Sequence, residues 1–370
     1  MSAPTSVLLA GGGTAGHVSP LLALADTLVR RHPDVTVTAL GTEAGLEARL
    51  VPARGFALRY VPKVPLPRRP SGDLARLPRN LKRAVDAAGA AIDETGAQVV
   101  VGFGGYVSTP AYLAARRRRI PIVVHEQNAR PGLANRVGAR FTPFVATTFS
   151  NTVLPHATRI GMPLRREITT LDRAALRPAA LAHFGLEPDW PTVLVTGGSL
   201  GAKRLNDAFA ARAATLSARG VQVLHVTGRD KEFTPERPGV GAPYVVVPYA
   251  ERMELAYAVA DLVVARSGAN TVCELTTVGL PAVYVPLPIG NGEQRLNAAD
   301  VVTGGGGLLV EDAQLTPDWV DSVLVPLATD GDRLTRMARA AASLGEPRAD
   351  ELLADLVERA VDGRRPGGAS

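Results

Sequence analysis

Val7-Leu8-Leu9-Ala10-Gly11-Gly12-Gly13-Thr14-Ala15-Gly16-His17 and Val193-Leu194-Val195-Thr196-Gly197-Gly198-Ser199-Leu200-Gly201-Ala202 are the two stretches that decide the fold. Each is a short apolar run that breaks straight into glycines and then into a helical pattern. Continuous rather than alternating hydrophobicity is what a strand covered on both faces needs, and such strands belong to parallel sheets with helices on either side. Strand, glycine-rich turn and helix in that order open a doubly wound nucleotide-binding sheet. The motif occurs once in each half of the chain, so the fold class is α/β, with two Rossmann-like parallel-sheet domains.

Working outward, the same kind of run recurs at Val35 to Leu40, Val99 to Phe103, Ile120 to Val124, Val221 to Val226, Tyr244 to Val247, Leu262 to Ala265 and Ala282 to Val285. The first helix is expected to take Ser19 as N-cap and Pro20 in its first turn, to direct Leu21, Leu24 and Leu28 inward, and to end near Arg30 and Arg31. The domain boundary is placed between Gly161 and Arg166, giving domains of residues 1–165 and 166–345. The stretch LDRAALRPAALAHFGLEPDW then leads into the second domain, and RADELLADLVERAV makes one late amphipathic helix. A length of 370 residues agrees, since roughly two cores are needed to organise so long a chain.

Composition narrows the function. Residues 1–165 carry 21 Lys and Arg against 9 Asp and Glu, while the remainder carries 20 against 26, so the first domain is the one suited to an anionic partner. Nucleic acid, an acidic membrane surface and a phosphorylated substrate all qualify, although no aromatic-interleaved nucleic-acid motif is present and nucleic acid is not expected. The single cysteine, Cys273, excludes a disulfide framework, a four-cysteine zinc site and a CxxC redox centre. No segment approaches the roughly 18 apolar residues needed to span a bilayer. The N-terminus lacks the features of a signal peptide, so the chain is expected to start near Met1 and stay on the cytoplasmic side.

The chemistry-bearing residues cluster where strands end. Gly11-x-Gly13-x-x-Gly16 has the spelling of a dinucleotide fingerprint, but the second strand ends Ala39-Leu40-Gly41-Thr42 with no acidic residue to hold a ribose, and Glu43 comes late. His17 stands at the mouth of the first strand-to-helix turn, where a helix N-terminus favours a neutral, proton-accepting ring. Gly102-Phe103-Gly104-Gly105-Tyr106-Val107-Ser108 is a second glycine turn. His125-Glu126-Gln127-Asn128 closes an apolar strand with four polar side chains, which suggests a polar crevice. Arg266-Ser267-Gly268-Ala269-Asn270-Thr271-Val272-Cys273-Glu274 reads as a third strand-to-helix turn with Glu274 in the first helical turn, as either a dipole partner or an acceptor for ribose hydroxyls. Gln294 and Asn297, three apart, would share a helix face. Asp330-Gly331-Asp332 could spell a metal site but suits an N-cap better, and no metal is expected.

The set GGGTAGHVSP, GFGGYVS, HEQN, GMPLR, GGSLGA, RSGANTVCE and GEQRLNA, in that order over nearly the whole chain, resembles the MurG glycosyltransferases of the GT-B fold. The resemblance implies two Rossmann-like domains facing across a cleft, with a C-terminal helix at about 346–365 packed back on the first. It implies an inverting transfer of N-acetylglucosamine (GlcNAc) from its UDP donor to the C4 hydroxyl of lipid I, forming lipid II for peptidoglycan, with no cofactor. On the donor side it implies Thr14, Ala15, Gly16, Asn128, Arg165, Ser199, Ala250 beside Tyr249, Ala269, Asn270, Thr271, Glu274 for the ribose, and Gln294 and Asn297 for the sugar. It puts Gly104, Gly105, Tyr106 and Glu126 on the acceptor side and His17 on the rim where donor and acceptor meet; of these, His17 is taken as the base that deprotonates the acceptor hydroxyl, with Glu126 as rival. Ala15, Met162 and Glu293 depart from the family's commoner residues.

An undecaprenyl acceptor also implies a peripheral position on the cytoplasmic face of the bacterial plasma membrane, with cell-wall synthesis and division proteins as partners. Leu74, Leu77, Leu81 and Val85 among Arg76, Arg79, Lys82 and Arg83 have the spacing of an interfacial helix, and Arg116, Arg117, Arg118 and Arg119 add a basic run for an anionic surface. The competing readings are another GT-B UDP-sugar enzyme, either a 2-epimerase or a small-aglycone glycosyltransferase, and a nucleotide sensor.

Overall fold

The structure is a computed structural model that describes residues 3–64, 73–198, 201–236 and 241–363. The chain divides into two compact units, Met1–Arg165 with Arg348–Ser370, and Arg166–Pro347.

In the first unit, β1 (Ser6–Ala10), β2 (Thr36–Gly41), β3 (Ala57–Tyr60), β4 (Val99–Gly102), β5 (Ile122–Glu126), β6 (Val145–Thr147) and β7 (Ala157–Arg159) form a seven-stranded sheet in the order β3-β2-β1-β4-β5-β6-β7. Every pairing is parallel, with Leu9 opposite Ala39 on one side and Val101 on the other. In the second unit, β8 (Thr192–Thr196), β9 (Gln222–Val226), β10 (Tyr244–Val247), β11 (Leu262–Ala265), β12 (Ala282–Tyr284) and β13 (Gly307–Leu309) repeat the scheme in the order β10-β9-β8-β11-β12-β13. In both sheets the order in which strands are added reverses beside the first strand, the switch point at which doubly wound sheets bind ligands.

The sequence reading missed β3, β6, β7 and β13. Their signal is weak for a physical reason: β3 and β7 are largely exposed edge strands, and β6, β7 and β13 are three residues long. The central strands β1, β4, β5 and β8 are buried at every position. Along β1, Val7 and Leu9 enter one face of the core while Leu8 and Ala10 enter the other, as a period of two requires.

The helices of the first unit that matter below are α1 (Ala15–Arg31), α2 (Glu47–Ala53), α3 (Asp73–Thr95), α4 (Gly105–Arg118) and α5 (Leu133–Gly138). α1 begins earlier than expected, with Thr14 rather than Ser19 at the cap position and Pro20 inside the helix. The Thr14 carbonyl accepts from His17 N and Val18 N, so the end of the glycine turn itself winds the first helical turn.

The C-terminal helix Ala349–Val361 belongs to the first unit. Its Leu353, Leu356 and Val357 join Leu21, Leu24 and Leu28 of α1 in one apolar cluster. Around that seam Thr27 Oγ1 donates to Asp350 Oδ2 at 2.6 Å, and Arg31 Nη1 donates to Asp355 at 2.6 Å and Glu358 at 3.0 Å. Leu353 is fully buried. Leu353→Ala should therefore destabilise the first unit by about 2–5 kcal/mol, read as a lower denaturation midpoint in urea with the slope unchanged.

Candidate functional site

In the first unit the site is built where β1, β2, β4 and β5 end. His17 is the third residue of α1 and only partly buried. Its Nδ1 lies 3.1 Å from the Gly12 carbonyl oxygen and 3.1 Å from Thr14 Oγ1. A carbonyl can only accept, so Nδ1 carries the proton and Nε2 keeps its lone pair. Nε2 faces the β4–α4 turn, where Gly104 and Gly105 have φ of +90° and +78°. A Cβ on Gly104 would sit 3.2 Å from Nε2, and one on Gly105 would sit 2.7 Å from the Gly12 oxygen. Desolvation lowers the His17 pKa, against smaller upward contributions from the Gly12 hydrogen bond and the Glu47 charge. The ring is thus neutral at pH 7, with a bare nitrogen, as a general base requires. Tyr106 follows at the start of α4, exposed, with Lys63 Nζ 5.5 Å from its ring centre.

The HEQN segment is less open than its polarity suggests. His125, Glu126 and Gln127 are all buried, and of the four only Asn128 is partly exposed. His125 Nε2 donates to the Gly161 carbonyl at 2.9 Å, and Gln127 Nε2 lies 2.9 Å from His125 Nδ1. Glu126, read as the rival base, has both oxygens occupied. Oε1 accepts from Asn128 N at 2.9 Å, and Oε2 accepts from Gly132 N at 3.0 Å and from Asn135 Nδ2 at 2.9 Å. Burial raises its pKa despite those bonds. The carboxylate shapes the 128–132 loop, and Asn135 carries the network on by accepting from the Tyr112 hydroxyl at 2.8 Å. Sequence reasoning missed Asn135 and Tyr112, because their role is made by contacts distant in the chain.

In the second unit, β8 runs into Gly197 and Gly198, while Ser199 lies outside the described residues. Beyond β11, the helix Ala269–Thr277 places Glu274 in its second turn, not its first, which removes the dipole-partner reading. Its Oε2 accepts from the Tyr257 hydroxyl at 2.6 Å, a partner that fixes the carboxylate's direction. Ala269 is buried, Asn270 and Thr271 are partly exposed, and Ala250 is buried beside exposed Tyr249, over whose ring Arg229 sits at 4.9 Å. Gln294 Oε1 accepts from Leu287 N at 3.0 Å, which leaves its amide nitrogen for a ligand. Asn297 is buried and donates to the Ser267 carbonyl at 3.3 Å, so it ties its helix to the β11 turn. Arg266, which the reading passed over, donates to the Val285 and Pro286 carbonyls and pairs with Asp312 at 2.6 Å. Arg165, the last residue of the first unit, is partly exposed. Asp330 caps the helix Gly331–Ala342 by accepting from Arg333 N at 2.9 Å. Among the described residues no group of three or more His, Cys, Asp and Glu could hold a metal.

The basic surface is partly internal. Val85 is buried and Leu81 packs on the core of the first unit, so this edge of α3 faces inward; the Leu74 side chain lies outside the described residues, and Leu77 is partly buried. Arg118 makes a two-pronged pair with Asp93 at 2.6–2.7 Å, Arg117 lies 3.9 Å from Asp86, and Arg116 stacks 4.3 Å from the Phe141 ring centre. Arg119, at φ 58°, closes α4 and is exposed, as are Arg79, Arg83 and Arg116. Among the described residues no helix is long and apolar enough to cross a membrane.

Two parallel-sheet units with glycine turns at their switch points are the elements of the GT-B architecture, and the family matches make the class a glycosyltransferase. Residues 7–147 match the glycosyltransferase family 28 N-terminal domain and residues 192–353 the family 28 C-terminal domain. The chain is 58% identical over 354 residues, 95% of its length and 97% of the relative's, to the UDP-N-acetylglucosamine--N-acetylmuramyl-(pentapeptide) pyrophosphoryl-undecaprenol N-acetylglucosamine transferase of Nocardioides sp.. It is 55% identical to the enzyme of that name from Streptomyces avermitilis over 97% of this chain and 99% of that one. The crystal structure of Acinetobacter baumannii MurG superposes with a TM-score of 0.79 at 29% identity, covering 96% of this chain and all of that one. The chain belongs to the MurG family of N-acetylglucosamine transferases. The calicheamicin glycosyltransferase CalG4, at 20% identity and a TM-score of 0.66, shares the fold.

The buried His125 carries a stability consequence. Desolvation pulls its pKa from 6.5 down to about 4, so the unfolded chain takes up this proton before the folded one does. Its contribution is complete above pH 6.5 and is lost as pH falls toward 4, on the order of 3 kcal/mol in all. Urea unfolding of the first unit should show that decline, and His125→Gln should flatten it.

Proposed function

We propose that the chain transfers GlcNAc from UDP-GlcNAc to the C4 hydroxyl of lipid I, giving lipid II and UDP with inversion at the anomeric carbon. Membership of the family supports the reaction, and one observation carries the mechanism: His17 holds its proton on Nδ1 against the Gly12 carbonyl and keeps Nε2 bare. The acceptor C4 oxygen attacks the anomeric carbon, its proton passes to Nε2, and the bond from that carbon to the UDP oxygen breaks. The charge on departing UDP is met by the backbone amides of the Gly197–Gly198 turn, the Ser199 hydroxyl and the Arg165 guanidinium, a set able to act without a metal. Glu274, steered by Tyr257, takes the ribose hydroxyls, backbone near Ala250 reads the uracil, and the Gln294 amide takes a sugar hydroxyl. Thr14, Ala15, Gly16, Asn128, Ala269, Asn270 and Thr271 complete the donor side, and Gly104, Gly105 and Tyr106 serve the acceptor.

The lipid tail of that acceptor calls for a peripheral position on the cytoplasmic face of the plasma membrane. Support comes from the positive charge of the first domain and from exposed Arg79, Arg83 and Arg116. Cell-wall synthesis and division proteins are the proposed protein partners.

Assay with UDP-GlcNAc and a lipid I analogue tests the reaction. Glu274→Ala should weaken UDP binding by about 1.5–3 kcal/mol in calorimetry. By contrast, His17→Ala should lower kcat by roughly 10²–10⁴ while UDP binding survives; near-wild-type turnover would remove the base from His17. Replacing Arg79, Arg83 and Arg116 by glutamine should weaken binding to anionic vesicles by about a hundredfold, at about 1 kcal/mol per cation, and spare turnover of a short-chain soluble acceptor. Vesicle binding insensitive to both the substitutions and salt would place the docking surface elsewhere.

A further inference from the structure

Glu47 is fully buried, and its carboxylate lies against the backbone of the first glycine-rich turn. Oε2 accepts from Gly13 N at 2.8 Å, and Oε1 accepts from Thr42 N at 2.8 Å and Thr42 Oγ1 at 2.9 Å. The carboxylate thus ties the turn after β1 to the turn after β2. Three glycines leave room for it, since a Cβ on Gly12, Gly41 or Gly45 would come within 2.1–2.4 Å of the Glu47 side chain. A glycine turn leading into a helix offers its amides to an anion, in most such folds a phosphate from a ligand. Here the anion comes from the chain itself.

We propose that Glu47 is a positioning residue whose carboxylate occupies the anion position of the first glycine-rich turn, closing it to a nucleotide phosphate and holding Gly12 so that its carbonyl keeps the His17 proton on Nδ1. The consequence for catalysis rests on the transferase reading above; the occupancy of the turn does not. Burial would raise the carboxyl pKa, but the bonds from Gly13 and Thr42 outweigh it and keep Glu47 ionised. Among the described residues the other groups facing His17 are uncharged: the Thr14 hydroxyl and Gly12 carbonyl of its own turn, and Gly104 and Gly105 from the β4–α4 turn. Glu47, from α2, is the charged group that raises the His17 pKa.

Imidazole ¹⁵N spectra of the wild-type protein should show His17 in the Nδ1–H tautomer; the Nε2–H tautomer would overturn the proposal without any variant. Glu47→Gln keeps the size of the side chain but removes its charge and turns one oxygen into a donor facing an N–H. It should lower kcat by about 10- to 100-fold, the scale of a small misplacement at the reacting centre, with the KM for UDP-GlcNAc within about twofold. The acid limb of kcat should move to lower pH, because the charge that raises the His17 pKa is gone. Unchanged kcat, His17 tautomer and acid limb in Glu47→Gln would overturn the assignment, as would a loss of activity that only tracks the unfolded fraction. A wild-type protein inactive with UDP-GlcNAc and the lipid I analogue would count against the reaction, whereas the tautomer reads the Glu47 arrangement with no turnover at all.

Discussion

Parallel strands buried on both faces leave nowhere in the body of a sheet for polar chemistry. β1, β4, β5, β8 and β11 have no position open to solvent, and their neighbours on both sides run the same way. Within each sheet the carboxyl ends therefore emerge on one side, and polar groups gather in the turns and first helical turns that follow. His17, Gly104, Tyr106 and Asn128 lie in or just beyond these turns in the first unit, and Arg266 in the second, with Glu274 one helical turn further on. The glycines of these turns follow from the same constraint, because the chain must reverse at once from a buried strand into a covering helix.

Polar groups near that boundary are held by the protein where they do not face solvent. Glu126, Asn135 and Tyr112 form one chain of hydrogen bonds, and His125, Gln127 and the Gly161 carbonyl form another. A buried carboxylate without partners would be strongly destabilising, and each oxygen of Glu126 and of Glu47 has at least one donor. These groups set the shape of the turns, whereas the His17 ring is left partly open with a lone pair on Nε2. The division of labour among these polar residues is thus one of solvent access.

Charge on the first unit follows a similar rule. A run of four arginines reads as one patch, yet Arg118 clasps Asp93 on α3 and Arg117 lies near Asp86. Exposed ion pairs of this kind contribute little to stability, but they lower the field that the surface presents. Arg79, Arg83, Arg116 and Arg119 remain as exposed cations.

The sequence by itself determined the two parallel α/β units, the placement of their glycine turns and the division near Arg165, because doubly buried strands and strand-to-helix glycines are local patterns. The family, too, was legible in motifs such as GGGTAGHVSP and GEQRLNA. Edge strands such as β3 and β7 were not, since they lack the doubly buried signature. Only the tertiary structure decided that Glu126 turns inward to the 128–132 loop, that Leu81 and Val85 serve the core, and that Glu274 is aimed by Tyr257. It alone brought Glu47 to Gly13, where a sequence reading sought an acidic ribose ligand at the end of β2 and found none. Each of these depends on which elements pack together, and a hydrogen bond between residues 34 positions apart, as from Gly13 to Glu47, leaves no periodic trace along the chain.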